Sequence, residues 1–536
     1  MKVRISSRIT DLWARHSRTG RTSLLQIGSA IALCTACTHT AVPISATTVQ
    51  TEQGTVQGVQ ADGAYLFKGI PFAAPPTGDN RWRVPQPVAA WTGVRDASQF
   101  GPDCIQPITD PAAPSHPQSE DCLTLNVAVP EASAEAALPV LFYVHGGAYF
   151  VGSGRTVMKN GPPELVRQGA IIVAPNYRLG RMGFFAHPAL TEEAEASGEA
   201  TANYWLMDEV QALEWVRENI SAFGGDPDNI TLLGCSAGGS SVNALVASPE
   251  ARGLFHKAVI RSGGGFFNAT RSLDIAEAQG MDFAERAGVS SEPQDTLSSL
   301  RALSPEKVLA ADPGPPNFGA MVDGTYLQDL ISVTLVDGKA APIPLITGST
   351  SNEASVFGLM GFDKQTLLDR FNVDVDALKP AYETNGPLTE AELLRQVQTD
   401  FIFTSAGVGM AALASANGTP AWSYYFDYLP EDLRTSHPGA DHCADMPYLF
   451  ATSEFEAAED QAIADLLQRQ LLNFMRTGNP NGSGLPDWAQ MTAGNHATLV
   501  VGLDTHSVAG FRKTQLEPWF EKWETEKNRP FPSTKD

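Results

Sequence analysis

The stretch that decides the fold reads Asn229-Ile-Thr-Leu-Leu-Gly-Cys-Ser-Ala-Gly238, an apolar segment that runs directly into a Gly-x-Ser-x-Gly pattern. Such a pattern is typical of a serine, here Ser236, on a sharp turn between a strand and a helix, where its hydroxyl is exposed. The apolar segment before it predicts a strand that is buried on both faces. This part of the chain therefore predicts a strand–turn–helix unit with Ser236 at the turn.

Further apolar segments on both sides of this unit also predict strands. They occupy residues 139–145, 170–175, 256–261 and 344–348. Between them, residues 204–220 have the spacing of an amphipathic helix. Because strands alternate with helices along the chain, the sequence predicts an α/β protein with a mostly parallel, doubly wound sheet.

Two regions, around residues 265–340 and 355–415, interrupt the alternation of strands and helices. Both read as helices joined by loops, and insertions of this kind commonly build a cap over a site. No linker rich in Gly, Ser or Pro separates two independent domains. We therefore expect residues 47–536 to form a single domain with helical cap insertions in these two regions.

Residues 1–46 have the pattern of an export signal. A basic stretch that ends at Arg21 precedes an apolar run over residues 24–33, and small residues follow. The run is too short to span a bilayer as a helix and has the length of a signal-peptide core. The sequence therefore predicts a cleaved leader and an exported protein, either periplasmic or secreted.

A cysteine in the leader offers an alternative to ordinary cleavage. Cys37 follows Thr35-Ala36 and loosely resembles the cleavage site of a lipoprotein, which would anchor the chain through a lipid. However, Cys34 occupies the position where leucine is expected. Ordinary cleavage is therefore the preferred interpretation, and lipid anchoring at Cys37 is the alternative.

The composition limits the partners. The 536 residues carry a formal net charge of −23, and 43% of them are hydrophobic. An acidic surface argues against nucleic acid or an anionic membrane as a partner. After the leader, no segment approaches twenty uninterrupted apolar residues, so we expect no transmembrane segment. The composition does not define an oligomeric state.

A nucleophilic serine needs a base to take its proton, and histidine is the usual base. Where a Gly-x-Ser-x-Gly serine is catalytic, the acid and then the histidine follow it in the chain. His442 is the preferred candidate, because the segment after it is consistent with a loop leading into a helix. His437, directly before a proline, is the alternative.

The base in turn needs an acid that orients it. Glu353 lies in a short polar loop after the predicted strand 344–348. The carboxyl ends of parallel strands are where such sheets place catalytic groups. Position alone leaves Asp427 and Asp441 as competitors of Glu353.

Acyl transfer also needs donors for the oxyanion that develops on the substrate. One donor is expected from the backbone N–H of Ala237, directly after the serine. Others are expected from a glycine-rich turn after an earlier strand, and His145-Gly-Gly-Ala148 follows the segment 139–145 in this way.

Two cysteines flank the candidate serine and histidine. Cys235 directly precedes Ser236, and Cys443 directly follows His442. If the serine and the histidine form a pair, the same geometry brings the cysteines together, and a disulfide would fix the base beside the nucleophile. Cys104 and Cys122 complete an even count outside the leader, which favours disulfides in an exported chain, although four cysteines allow three pairings.

Several motifs identify the chain as similar to the type-B carboxylesterases, the family that includes cholinesterases and bacterial para-nitrobenzyl esterases. The resemblance extends from about Gly54 to Trp488. The motifs are Phe67-Lys-Gly-Ile-Pro-Phe-Ala73, Pro75-Pro-Thr-Gly78, Glu120-Asp-Cys-Leu-Thr-Leu-Asn126, Asn176-Tyr-Arg-Leu-Gly180, Phe223-Gly-Gly-Asp-Pro227, Asn473-Phe474 and Thr477-Gly-Asn-Pro-Asn481.

This resemblance implies an α/β-hydrolase fold and the hydrolysis of a small-molecule ester through an acyl-enzyme. It implies Ser236 as nucleophile, Glu353 as the orienting acid and His442 as general base. It further implies a disulfide between Cys104 and Cys122, and no metal or cofactor. The oxyanion donors that it implies are the backbone N–H groups of Gly147, Ala148 and Ala237.

The chain departs from the family pattern at four positions. Cys235 stands where the family has glutamate, Cys443 where it has a small or variable residue, Trp205 where glycine is common and Glu209 where glutamine is common. The Cys-Ser and His-Cys pairs resemble those of tannases and some fungal feruloyl esterases, so an aromatic ester is an alternative substrate. A catalytically silent, cholinesterase-like binding protein is a distant alternative.

Overall fold

The computed structural model of the protein describes residues 47–108, 116–131, 137–265, 270–289, 293–312, 318–359, 368, 371–492 and 495–526. The expected leader, with Cys34 and Cys37, lies outside these residues. So do parts of the two regions expected to form a cap.

The strands, in chain order, are β1 (Thr48–Gln50), β2 (Thr55–Gln57), β3 (Val59–Ala61), β4 (Ala64–Pro71), β5 (Val94–Asp96), β6 (Asp103–Cys104), β7 (Gln118–Ser119), β8 (Thr124–Pro130), β9 (Leu138–Val144), β10 (Ile171–Pro175), β11 (Phe184–Phe185), β12 (Ala202–Asn203), β13 (Gly225–Cys235), β14 (Lys257–Arg261), β15 (Arg271–Ser272), β16 (Met321–Val322), β17 (Leu345–Thr350), β18 (Ala421–Phe426), β19 (Thr498–Val501) and β20 (His506–Val508).

The α-helices of the described residues are α1 (Glu164–Arg167), α2 (Gly180–Gly183), α3 (Pro188–Ser197), α4 (Tyr204–Asn219), α5 (Ala237–Ala247), α6 (Leu273–Arg286), α7 (Pro293–Arg301), α8 (Pro305–Ala311), α9 (Ile331–Val336), α10 (Ser355–Leu359), α11 (Val375–Tyr382), α12 (Glu390–Thr399), α13 (Ser405–Ala416), α14 (Met446–Leu449), α15 (Ala458–Thr477) and α16 (Lys513–Glu526). A π-helix, Asp400–Thr404, joins α12 to α13.

An eleven-stranded sheet forms the centre of the protein, in the order β20-β19-β18-β17-β14-β13-β9-β10-β8-β4-β3. The strands from β19 to β10 in this order run parallel to one another. The remaining strands add antiparallel edges. The sequence-based prediction of an α/β protein with a mostly parallel sheet is therefore confirmed.

Both faces of the central strands are buried, as their uninterrupted apolar runs predict. Successive side chains of a strand point to opposite faces of the sheet. In β9, Val140 and Phe142 belong to one hydrophobic cluster, whereas Leu141 and Tyr143 belong to another. Helices α5 and α4 pack with the first cluster and α15 with the second, which makes the sheet doubly wound.

The two regions that interrupt the strands of the central sheet are rich in helices, as the sequence predicts. Residues 265–340 contain α6 to α9 and the small strand pair β15–β16. In the region 355–415, α13 packs against β17 and β18 in the central sheet. Among the described residues, Glu390–Ala416 is the segment long and apolar enough to cross a membrane, but 72% of its apolar window is buried inside the protein.

Candidate active site

Ser236 lies at the junction between β13 and α5, as the sequence predicts. Its backbone has φ 60° and ψ −129°, a conformation that residues with a side chain rarely adopt. Residues held in sparsely populated conformations cluster at functional sites, where the surrounding structure must maintain them. Here the Ser236 N–H donates to the carbonyl oxygen of Arg261 at 3.1 Å, and the Ser236 carbonyl accepts the N–H of Ser240 at 2.9 Å.

The glycines of the Gly-x-Ser-x-Gly pattern are required by close backbone contacts. A Cβ on Gly234 would lie 2.2 Å from the carbonyl oxygen of Gly238, and one on Gly238 would lie 2.2 Å from that of Val144. A side chain at either position would force strand β13, helix α5 or strand β9 apart. The sequence pattern thus reflects how tightly the turn around Ser236 is packed.

The glycine-rich turn after β9 lies directly against this serine. A Cβ on Gly146 would be 3.3 Å from the Cβ of Ser236. Gly147, Ala148 and Tyr149 all have positive φ angles, of 114°, 56° and 62°. No backbone acceptor among the described residues takes the N–H of Gly147 or Ala148. These two N–H groups are therefore available to an acceptor outside the main chain.

His145, which starts this turn, has a structural role. Its ring stacks on Tyr177 with 4.3 Å between centroids, and the Tyr177 hydroxyl donates to the His145 carbonyl at 2.9 Å. Burial lowers the pKa of His145 to about 4, so the ring is neutral at physiological pH. The interactions of His145 hold the start of the turn against the sheet.

Glu353 and His442 are in direct contact. Glu353 follows β17, is fully buried, and accepts the N–H of Thr350 at 2.7 Å through Oε1. Its other oxygen, Oε2, contacts Nδ1 of His442. Because a carboxylate accepts hydrogen bonds, this contact assigns the proton to Nδ1 and makes Nε2 the atom able to accept another.

Nε2 of His442 is buried and has no hydrogen-bond partner among the described residues, so the expected bond to Ser236 is not formed in this structure. Catalytic hydrogen bonds are often long or poorly aligned in enzymes without substrate and tighten in the complex. The backbone segments of the two residues are nevertheless joined, because Cys235 and Cys443 form a disulfide with Cα atoms 6.2 Å apart.

The alternative base, His437, and the alternative acids, Asp427 and Asp441, do not take part in the contact between Glu353 and His442. His437 bonds to the neighbouring Ser436 hydroxyl at 3.0 Å, on the protein surface. Asp427 is exposed. Asp441 is also exposed and accepts from the side chain of Asn352 at 2.7 Å. Of the candidate acids, Glu353 is therefore the one that contacts His442.

The loop that carries His442 is fixed by further contacts. The His442 N–H donates to the Ser355 hydroxyl at 2.9 Å, and Asn352 forms a β-bridge with Asp441. The ring of Phe403, on the π-helix, lies 5.1 Å from the His442 ring. A π-helical turn frequently marks a functional site, and this one brings an aromatic ring beside the candidate base.

The structure contains both disulfides expected from the sequence. Cys104 pairs with Cys122 and closes a short connection of 18 positions, whereas the bond between Cys235 and Cys443 spans 208 positions. Of the three pairings that four cysteines allow, the structure therefore has the one in which Cys235 joins the Ser236 turn to the His442 loop.

One buried cluster beside these residues was missed in the sequence. Arg261 and Asp445 form an ion pair, and the Tyr424 hydroxyl donates to Asp445 at 2.9 Å. The available signal was a charged residue at the end of an apolar strand, together with an acidic residue three positions after His442. Neither signal identifies the partner, because 184 positions separate the two side chains.

Trp205 and Glu209, on helix α4, lie next to Tyr149 of the glycine-rich turn. The Trp205 ring stacks on Phe184 and lies 5.1 Å from the ring of Tyr149. Glu209 is fully buried, and burial together with Asp208 raises its pKa well above its ordinary value, although the Ser241 hydroxyl opposes this shift. The buried site therefore favours the neutral form of the Glu209 carboxyl over its ionised form.

In the described part of the chain, no group of three or more histidine, cysteine, aspartate or glutamate residues is arranged to hold a metal ion. The arrangement of Ser236, the imidazole of His442 on the Glu353 carboxylate, and the backbone N–H groups of the glycine-rich turn supports acyl transfer to a serine.

Comparisons with known proteins agree with this chemistry. The sequence model of the carboxylesterase family matches residues 45–519. The chain is 34% identical over 482 residues to the para-nitrobenzyl esterase of Bacillus subtilis, which covers 84% of this chain and 94% of that protein. It is 33% identical to the fumonisin B1 esterase of Sphingopyxis macrogoltabida, over 80% of this chain and 81% of the relative.

Solved structures show the same similarity in three dimensions. A PNB esterase superposes with a TM-score of 0.76 at 29% identity, over 88% of this chain and all of the other. A carboxylesterase of Geobacillus stearothermophilus has a TM-score of 0.75 at 32% identity, over 89% of this chain and all of the other. The chain therefore belongs to the carboxylesterase family: it has the α/β-hydrolase fold and is a serine hydrolase that cleaves small-molecule carboxylic esters.

Proposed function

We propose that Ser236, His442 and Glu353 form the catalytic triad of this esterase, as nucleophile, general base and orienting acid. The contact between Glu353 and Nδ1 of His442 is the observation that carries the proposal. It gives the ring a single tautomer, with Nε2 as the atom that accepts a proton. The disulfide between Cys235 and Cys443 supports the pairing of this base with Ser236.

In this mechanism, the Ser236 hydroxyl attacks the ester carbonyl as Nε2 of His442 takes its proton. The backbone N–H groups of Gly147, Ala148 and Ala237 donate to the oxyanion of the tetrahedral intermediate. The imidazolium then protonates the leaving alcohol, and Glu353 stabilises its positive charge. Water, activated by the same imidazole, attacks the acyl-enzyme and releases the acid.

Covalent labelling tests the nucleophile. An organophosphate should inactivate the enzyme with one adduct per chain, and mass spectrometry should place the adduct on Ser236, since only an activated serine reacts. An adduct on another serine would contradict the proposed triad.

The ester that the enzyme prefers is a separate question. We propose a general carboxylester hydrolase, with a feruloyl-esterase- or tannase-like aromatic esterase as the alternative. Measurements of kcat/KM on methyl esters of aliphatic and aromatic acids, and on acetates of alkyl and benzyl alcohols, distinguish the two. A general esterase should accept both series of acids, whereas at least a hundredfold preference for the aromatic acids would favour the alternative.

We also propose that residues 1–46 are an export leader and that residues 47–536 form one domain with cap insertions around 265–340 and 355–415. Disulfides form and persist in oxidising compartments, which supports a periplasmic or secreted location. Mass spectrometry of the exported protein should find a mature N-terminus close to residue 47. A mature chain that begins with lipid-modified Cys37 would instead establish anchoring to a membrane.

A further inference from the structure

Two neighbouring strand ends are both linked to the loop that carries His442. Cys235, at the end of β13, is the cross-strand partner of Arg261, at the end of β14. Cys235 is bonded to Cys443, whereas Arg261 pairs with Asp445, two positions further along the loop. One link is covalent and the other is ionic, and the two run side by side.

Arg261 also contacts the candidate nucleophile directly, through its main chain. Its carbonyl oxygen accepts the Ser236 N–H at 3.1 Å, and a Cβ on Gly239 would lie 2.8 Å from the same oxygen. The backbone of Arg261 therefore supports the strained turn, while its side chain reaches the loop of the base. A single residue therefore contacts both Ser236 and the loop that carries His442.

The ionic link is held in a defined geometry. Asp445 is fully buried and Arg261 is 4% exposed. The Tyr424 hydroxyl donates to Asp445 at 2.9 Å, and the Arg261 guanidinium lies 4.9 Å from the centroid of the Tyr424 ring. Burial alone lowers the pKa of Arg261, but Tyr424 and Asp445 raise it, and the net shift is upward. The two side chains are therefore buried together, with Tyr424 in contact with both.

We propose that Arg261 and Asp445 are positioning residues for the ester-cleaving reaction, and that their ion pair and the Cys235–Cys443 disulfide jointly place His442 relative to Ser236. Neither charged residue acts on the substrate. This inference rests on the proposed triad. Because the two links connect the same strand ends to the same loop, either one alone limits the displacement of the base, and removal of both releases it.

The experiment is a double-mutant cycle between the two links. One arm carries Cys235→Ala/Cys443→Ala. The other carries Arg261→Gln/Asp445→Asn, which removes both charges at once and so avoids leaving one charge buried and unpaired. The third protein carries all four substitutions. For each, kcat and KM on one ester are measured beside the circular dichroism spectrum.

The expected result is non-additive. Each arm alone should lower kcat by no more than about tenfold, with KM little changed. The combination should lose about a hundredfold beyond the product of the two losses, because a displacement of about 1 Å at a catalytic group can cost that much. Losses that simply multiply, in proteins with wild-type circular dichroism, would overturn the proposal.

A chemical version avoids the variant with four substitutions, should that protein not fold. The Arg261→Gln/Asp445→Asn protein is treated with a thiol reductant, and kcat is followed against time beside the wild-type enzyme. The Arg261→Gln/Asp445→Asn protein should lose at least tenfold more activity on reduction than the wild type. Equal losses would contradict joint positioning. The Cys235→Ala/Cys443→Ala protein reports the effect of reducing Cys104–Cys122 alone.

A second buried ion pair, far along the chain from the candidate site, serves as the control. It shows what the loss of any buried ion pair does to this protein. Arg81 and Glu120 form one that contacts neither the Ser236 turn nor the His442 loop. Arg81→Gln/Glu120→Gln should lower stability without coupling to the disulfide in kcat. If the organophosphate adduct forms on Ser236 but the coupling is absent, only this inference fails. An adduct elsewhere would instead refute the proposed triad.

Discussion

The carboxylate of Glu353 contacts Nδ1 of His442 across 89 positions of sequence. The contact joins two segments that follow neighbouring parallel strands, β17 and β18. The residues directly before each of the two, Asn352 and Asp441, form a β-bridge. Acid and base are therefore held in register by their neighbours, as well as by their own attraction.

The first prediction follows from this contact. Glu353→Gln should lower kcat by about 10⁴-fold, because an amide can hold the imidazole in the wrong tautomer and cannot stabilise its positive charge. Ser236→Ala and His442→Ala should each reduce kcat at least as strongly, since members of a triad act as a unit. Steady-state kinetics on a chromogenic ester give these values.

His437→Ala is the matched control, because His437 is the alternative histidine and its ring bonds to the Ser436 hydroxyl rather than to a candidate acid. It should keep kcat and KM within about twofold of the wild type. Substantial activity in His442→Ala, together with an inactive His437→Ala, would show that the base is misassigned.

The second prediction concerns the two disulfides. In the chain-entropy model, a bond across 208 positions restricts the unfolded chain by about 5 kcal/mol and one across 18 positions by about 3 kcal/mol. Cys235→Ala/Cys443→Ala should therefore lower the free energy of unfolding more than Cys104→Ala/Cys122→Ala. Urea denaturation of both variants measures the difference.

Measurements of kcat distinguish the two disulfides further. Loss of Cys235–Cys443 should lower kcat in protein that is still folded, because this bond adjoins both Ser236 and His442. Loss of Cys104–Cys122 should leave kcat unchanged at temperatures below unfolding. Unchanged kcat in both variants would limit the first bond to a stabilising role.

Much of this architecture could be predicted because its signals are local. The buried strands are uninterrupted apolar runs, and the turn at Ser236 is a glycine pattern that close backbone contacts demand. Strand β13 nevertheless begins at Gly225, earlier than predicted, because a register shift between Gly225 and Ile230 accommodates a polar segment that has no strand pattern.

The site could be predicted in part. The order of Ser236 and His442 in the chain narrows the choice of base, and the flanking cysteines indicate which two segments meet. Glu353 needed the resemblance to a family, since a glutamate in a polar loop has no periodicity of its own. The pair of Arg261 and Asp445 could not be predicted, because only the folded register of β13 and β14 brings Arg261 beside Cys235.

The third prediction tests the glycine-rich turn. Gly147 has φ 114°, and a Cβ there would lie 1.9 Å from the carbonyl oxygen of Val151. Gly147→Ala must therefore displace the backbone that presents the N–H groups of Gly147 and Ala148. Loss of one oxyanion donor costs about 10² to 10³-fold in kcat, and a fall of this size is expected.

Gly253→Ala provides the control for strain alone. Gly253 also has a positive φ, 78°, but a Cβ there would meet nothing within 4 Å. This variant should be destabilised by about 1 kcal/mol and keep the wild-type kcat. Equal kcat values for Gly147→Ala and the wild type would remove this turn from the oxyanion site.

The last prediction concerns Glu209 on helix α4. It is fully buried, and the groups that face it are Asp208 on its own helix, Tyr149 and Tyr177 from the loops after β9 and β10, and the Ser241 hydroxyl of α5. None of these supplies a positive charge. Burial raises the pKa of Glu209 well above its ordinary value of 4.5, so the folded protein keeps a proton that the unfolded chain releases.

The sign of the stability effect follows from this difference in bound protons. Above pH 4.5 the unfolded chain binds fewer protons than the folded protein at this site, so the contribution of Glu209 to the free energy of unfolding falls as pH rises toward its folded pKa. Glu209→Gln cannot ionise and should therefore be more stable than the wild type at pH 8, with the advantage shrinking toward pH 4.5. Urea denaturation at several pH values measures it.

Glu218→Gln is the control, since Glu218 lies exposed on the same helix and its substitution also removes one carboxylate. The difference in unfolding free energy between the Glu209→Gln and Glu218→Gln proteins should widen as pH rises from 5 to 8, by about 1.4 kcal/mol for each unit of pH below the folded pKa of Glu209. A difference that stays constant across this range would mean that Glu209 is ionised in the folded protein. Such a result would contradict the upward shift of the Glu209 pKa.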